Sequence, residues 1–414
     1  MKILRRSAPQ DDTGVPLLRM TAEKDIIMAA EKTRRLSEKK KRHINRKRLV
    51  RLIVMLLLCA AALFLLIRLV SRRNFREAEL VEDNEQSGGS AVSYLHLGGR
   101  VLRYSRDGAA MLGEKGKELW NLSYSYADPK AKLQGSCGMI ADIGGTGACI
   151  FGKDGITGQI TTNSPILNLA ISDKGTAVLA TEEGTTSRLR FYDRTGKELD
   201  ITATLEMAIS GFPLDIALSP DGTGLVVSAG AYISGGLASQ LVFYNFGVGK
   251  GETNRLIGYF SYEKTLFPEV CYMGGDSVAA VGDDRLVFFD MSTENKPTVA
   301  EEVKFDTQIT AADMGEDHAA VVRSQASGTG LILEVFDKAG KKCFGTELSE
   351  FPRYMEESSR YVLMTSASGV RIWDYKGKLR FEGQLEADAQ TVFATDRTTL
   401  IQPAGGHLYR YRLR

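Results

Sequence analysis

Histidine is almost missing from this chain: His43, His96, His318 and His407 are the four in 414 residues. Cysteine numbers five and nowhere forms a CxxC pair, so a zinc cluster built on paired thiolates is not indicated. No GxSxG elbow occurs, which leaves a hydrolase of that type without its nucleophile. GxxxxGK is matched at 147–153 (GACIFGK), but Asp154 stands where Ser or Thr would hold magnesium. The surrounding pattern is strand and turn, with no helix to follow. A second glycine cluster, GVGKG at 247–251, also opens no helix and reads as a long turn. No catalytic, cofactor-binding or metal-ligating residue is assigned on this basis, and no cofactor is indicated. Enzymatic activity stays open, with a non-enzymatic role favoured.

Charge of either sign is absent from residues 52–67 (LIVMLLLCAAALFLLI). Sixteen residues of helix rise about 24 Å, short of a hydrocarbon core of about 30 Å. Extended to 49–70, with Arg51 and Arg68 snorkelling at the interfaces, the run has 22 residues and rises about 33 Å. A single transmembrane helix over 49–70 is therefore expected. It starts too far into the chain, and lacks the small-residue cleavage site, to be a removed signal peptide. Residues 34–51 hold ten Lys/Arg, and 68–76 hold four. The positive-inside rule then places the N-terminus in the cytoplasm and the long C-terminal part outside the cell membrane.

The overall charge of +2 conceals an asymmetry. Residues 1–51 carry 16 Lys/Arg against 6 Asp/Glu, whereas 77–414 carry 33 against 45. The acidic outer part excludes nucleic acid as a natural partner. Within the tail (1–48), residues 1–19 read as disordered, and 22–48, free of Pro and Gly, read as a basic helix behind Thr21 as N-cap. That helix either docks on the anionic inner leaflet or is merely topogenic. Residues 71–90, acidic and ending in Gly and Ser, read as an extracellular linker.

From about residue 91 the chain repeats. Residues 165–199 read as strand, SDKG turn, strand, turn, a strand ending in aromatic-Asp, a glycine turn and an edge strand. The third-strand signature recurs at 109–119, 148–155, 189–199, 241–247, 286–290, 332–342, 370–379 and 407–413. Eight copies at about 40 residues each predict an all-β propeller over 91–414. Eight blades are preferred, with seven as the alternative. The last unit, 390–414, has room for three strands, and residues 92–97 are expected to supply the fourth and close the ring.

Trp373-Asp374 sits where the Trp-Asp pair falls in WD40 blades, although the Gly-His element of those repeats is missing. The chain thus resembles a divergent WD40-like or quinoprotein-like propeller. The basic tail, the single span and blades containing RYSRDG, GKELWN, PLDIALSPDG and FYNFG also resemble a bacterial family of single-pass, membrane-anchored propellers classed as a domain of unknown function. That resemblance implies the fold and brings no functional residues with it.

A few residues are candidate sites. Cys137 and Cys149 flank a glycine-rich hairpin and are either a disulfide or two free thiols. His96 and His407 would approach each other if the ring closes as expected, as metal ligands or as ordinary strand residues. Asp215, Asp221, Glu269, Asp283 and Asp284 lie near strand ends, where carboxylates either bind a cation, do acid–base work or make turn hydrogen bonds. The leading functional expectation is a membrane-anchored extracytoplasmic scaffold that binds an envelope protein or glycan. The alternative is a receptor or enzyme using the central channel, which converging carboxylates would favour.

Overall fold

The computed structural model describes residues 28–36, 50–63 and 74–414, less 87–91, 98, 114, 234, 248–254, 294–295, 327, 329 and 389. The chain divides into two units, residues 1–73 and 74–414. In the first, residues 28–36 are helical. Thr33 Oγ1 donates to the Ala29 carbonyl (2.7 Å), and Arg35 pairs with Glu31 one turn earlier (3.2 Å). A second helix occupies 50–63. Both lie inside helices expected from the sequence, while residues 1–27, 37–49 and 64–73, His43 among them, are outside the described residues. No helix among the described residues is long and apolar enough to cross a membrane.

The second unit is an eight-bladed propeller of eight four-stranded antiparallel sheets. Seven blades are consecutive in the chain. Their first, inner strands are Ser93–Leu97, Pro129–Gln134, Ile166–Ile171, Phe212–Leu218, Glu269–Met273, Ile309–Met314 and Tyr354–Glu357. The eighth blade runs from Phe393–Ala394 through Thr399–Ala404 and His407–Leu413 to an outer strand drawn from the other end of the unit, Ala78–Glu85. All eight copies of the repeated signature fall on the third strand of a sheet, from Gly108–Leu112 to His407–Leu413.

Two expectations are corrected here. The ring is closed by Ala78–Glu85 and not by residues 92–97. Ser93–Leu97 is held by a tight turn at Gly99 (φ 80°) against Arg100–Tyr104 as the inner strand of blade 1, so it cannot reach the rim of blade 8. The segment 71–90 is likewise no simple linker, since the closing strand occupies its middle and the propeller begins near residue 74. Its composition misleads for a physical reason. An outer strand faces solvent along one side, and none of its eight residues is fully buried, so its apolar face shrinks to Ala78 and Leu80, which pack on the cluster between blades 7 and 8. It is held mainly by its hydrogen-bond ladder and by pairs such as Arg414–Glu79 (2.6 Å) and His407–Asp83 (2.7 Å).

The aromatic-Asp signature has a local cause. Asp193, Asp337 and Asp374 each accept backbone N–H bonds from the residues two and four positions on, at 2.8–3.1 Å, which closes the turn after the third strand. The glycines of these turns, Gly196, Gly340 and Gly377, have φ of 74–82° and press onto the outer strand of the preceding blade. The aromatic partner goes inward. Eight apolar clusters, one at each blade–blade interface among the described residues, form the core. At the closing interface, Val101 and Leu112 of blade 1 pack with Phe393, Ile401 and Leu408 of blade 8. Each fully buried ring, such as Phe288 or Phe289, contributes about 1.5–3 kcal/mol.

Candidate functional site

Inner strands of a propeller line its axis, and here several carry charge in the middle of apolar sequence. Lys132, on the inner strand of blade 2, donates from Nζ to the Asp215 carboxylate and to the Ile216 carbonyl (2.8 Å), both on blade 4. The lysine thus bridges past blade 3, whose Asn168 donates to the Leu214 carbonyl at 2.8 Å. Asp215 is only 3% exposed, and its second oxygen accepts the Val270 N–H of blade 5 (3.1 Å). One carboxylate therefore ties three inner strands together.

The electrostatics continue around the axis. Glu269 has its pKa raised, first by burial and then by Asp215, against the pull of Lys132 and Lys130. Lys130 is held below the ordinary lysine range by burial and by Lys132. On blade 6, Asp313 is pushed up to about 7, chiefly by burial, although it accepts the Glu357 N–H. On blade 7, Glu356 is pushed up to about 8 by burial and by Asp313, and Tyr354 donates to it at 3.3 Å. Glu357 is also raised to about 8 by burial, opposed by the hydrogen bond from the Tyr375 hydroxyl. His318 stacks on Tyr375 with ring centroids 3.4 Å apart and lies 3.4 Å from Glu357.

One arc of the channel thus presents ammonium groups and the other presents carboxyls that hold protons near neutrality and can donate. That suits a small polar ligand with both acceptor and donor groups. A covalent step has little support. The Cys271 thiol, two residues along from Glu269, is pushed up to about 12 by burial, and its S–H donates to the Tyr272 carbonyl (3.3 Å).

Of the acidic residues weighed from sequence, the structure brings Asp215 and Glu269 together and separates the rest. Asp221 closes a turn, bonded to Ser219 and Thr223. Asp284 forms a two-point pair with Arg285 (2.7 and 2.8 Å). Its neighbour Asp283 has a buried oxygen without a partner. His96 accepts from the Gly99 N–H (3.1 Å) while His407 pairs with Asp83, so each is used locally. Cys137 and Cys149 are free thiols: the hairpin register sets Cys149 opposite Ile140 and Cys137 opposite Gly152. Residues 147–152 are strand, and 248–251 of the GVGKG cluster lie outside the described residues. No group of three His, Cys, Asp or Glu suited to a metal ion occurs among the described residues.

Sequence reasoning missed Lys130, Lys132, Asp313, Glu356 and Glu357. The available signal was a charged residue inside the first strand of successive units: KAKLQ, LDIAL, EVCYM, TAADM and YMEE.

A family model of unknown function, DUF5711, matches residues 71–405, and so takes in the closing strand and the blades up to, but not including, the third strand of blade 8. The chain belongs to that family. No curated protein matches this DUF5711 member. Among solved structures it is similar to the Dos1 propeller (14% identity, TM-score 0.53, covering 81% of this chain and 95% of that one). It is also similar to Sqt1 of Saccharomyces cerevisiae (12%, TM-score 0.53, 83% and 99%) and to apo AztD from Citrobacter koseri (14%, TM-score 0.51, 73% and 88%). At such identities the likeness carries the propeller fold alone.

Proposed function

We propose that this DUF5711 protein is a membrane-anchored binding propeller. Residues 49–70 cross the membrane once, the N-terminus is cytoplasmic, and the propeller stands on the outer side. There it holds an envelope protein or glycan without chemistry on it. The observation that carries the reading is the closed, rigid ring of eight blades, a scaffold that offers loops on two faces. The uncharged run 52–67 and the opposite charge of the chain on its two sides support the anchor. The test is crosslinking of the full-length protein in native membranes followed by pull-down. A reproducible envelope partner is expected; a protein recovered alone would remove the scaffold.

A second reading is favoured by one observation, the convergence of Lys130, Lys132, Asp215, Glu269, Asp313 and Glu356 along the inner strands. It makes the channel a receptor site for a small polar ligand. A thermal-shift screen of amino acids and short peptides tests it. Stabilisation lost in Glu269→Gln supports the receptor, and an unmoved melting temperature across the screen removes it.

A further inference from the structure

Between blades 4 and 5, away from the charged channel residues, a groove of about 390 Å³ opens on the side of the Ser219–Gly224 turn. Its size is at the small end of ordinary ligand pockets. Pro220, Tyr244, Ile257 and Met291 give it apolar wall, and Thr223, Asn245, Ser292 and Thr293 bring short polar side chains. Among the described residues, Asp221 is the one charged residue that lines it. Its Oδ1 is already engaged by Ser219 Oγ (2.6 Å), Thr223 N (3.0 Å) and Thr223 Oγ1 (2.8 Å). Its Oδ2 has the Thr223 hydroxyl at 2.9 Å, which leaves that oxygen capacity to accept.

The decisive residue is Tyr272, on the inner strand of blade 5. It is 3% exposed, it borders the groove, and its hydroxyl has no hydrogen-bond partner. A hydroxyl buried in that state has lost water without gaining a partner, which is unfavourable. The chain makes room for this one. A Cβ at Gly224 would lie 2.5 Å from the Tyr272 hydroxyl and 3.2 Å from Ser219 Oγ. Gly224 is not among the glycines with positive φ, so its backbone alone does not call for glycine. What glycine spares at this position is the space bordered by the two oxygens.

We propose that this groove is a binding site for a small uncharged polyol, a mono- or disaccharide. Among the described residues, an anionic ligand would meet Asp221 and no lining Lys or Arg, and a divalent cation would find a single carboxylate. A sugar supplies hydroxyls that both donate to Asp221 Oδ2 and pair with Tyr272, over walls that are partly apolar. The site is argued from the groove alone, so failure of the pull-down would leave it standing, and its own failure would leave the scaffold standing.

The test is NMR or calorimetric titration of the full chain in detergent with maltose, cellobiose and N,N′-diacetylchitobiose, on the natural protein and on Tyr272→Phe and Gly224→Ala. Saturable binding of one saccharide is expected, weakened at least tenfold by Tyr272→Phe, with the variant's unliganded melting temperature equal or higher because an unpaired hydroxyl has gone. Gly224→Ala should abolish binding. Binding unchanged in Tyr272→Phe, or no saturable binding of any of the three sugars by the folded natural protein, overturns the proposal. An ordered water alone on the Tyr272 hydroxyl in a sugar-soaked crystal does the same.

Discussion

Lys132 and Asp215 are the residues on which three blades depend. In Lys132→Ala the Asp215 carboxylate would keep the Val270 N–H and lose its cation. We expect a loss of about 1.5–3 kcal/mol in urea unfolding, the usual value of a hydrogen bond to a charged group. Lys132→Ala combined with Asp215→Ala should recover part of it, because no buried charge is then left unpaired. A pH dependence belongs here too. Asp313, Glu356 and Glu357 titrate near 7 to 8 in the folded protein, against about 4 to 4.5 unfolded. Over that interval the folded state holds more protons than the unfolded one, so stability falls as pH rises. The melting temperature should decline between about pH 5 and pH 8 and flatten above. Glu356→Gln should make the decline shallower, as differential scanning calorimetry would show. At this scale the sequence displayed the charges at 215 and 269 but not their meeting. Convergence depends on which strands turn inward around the ring, and irregular repeat spacing does not fix that.

Elements were legible where a turn had to be encoded locally. The third strands announced themselves through the aromatic-Asp step and the glycine three residues after that Asp, because the Asp side chain and the positive φ make the turn. The closing strand carried no such mark. Its partner lies at the far end of the chain, and its exposed, acidic pattern matches that of a solvated stalk. Deleting residues 74–85 should leave His407–Leu413 as a bare edge, lower the melting temperature and cause self-association visible by analytical ultracentrifugation. Deleting 1–73 should leave the propeller's melting temperature within a degree or two, because the blades form their own unit.

For the whole molecule, charge and repeat number were readable and compartment remains a proposal. Protease added to intact cells should degrade the propeller and spare an epitope placed in residues 1–48. The reverse pattern would invert the topology. Repeat counting succeeded because each blade must bury both faces against neighbours, which forces about the same number of strands into each unit.

The pairing of Ala78–Glu85 with His407–Leu413 also sets a schedule for synthesis. Asp83 waits for His407, 324 positions later in the chain. At roughly 5–20 residues per second the ribosome needs about 16–65 s to deliver that partner. Throughout this interval the earliest strand of the domain has nowhere to dock, while blades 1 to 7 emerge with their own strands complete. The ring can be sealed only after His407–Leu413 has emerged. A nascent chain stalled anywhere before residue 407 would therefore carry seven assembled blades, or fewer, and a loose leading strand free to be captured by something else.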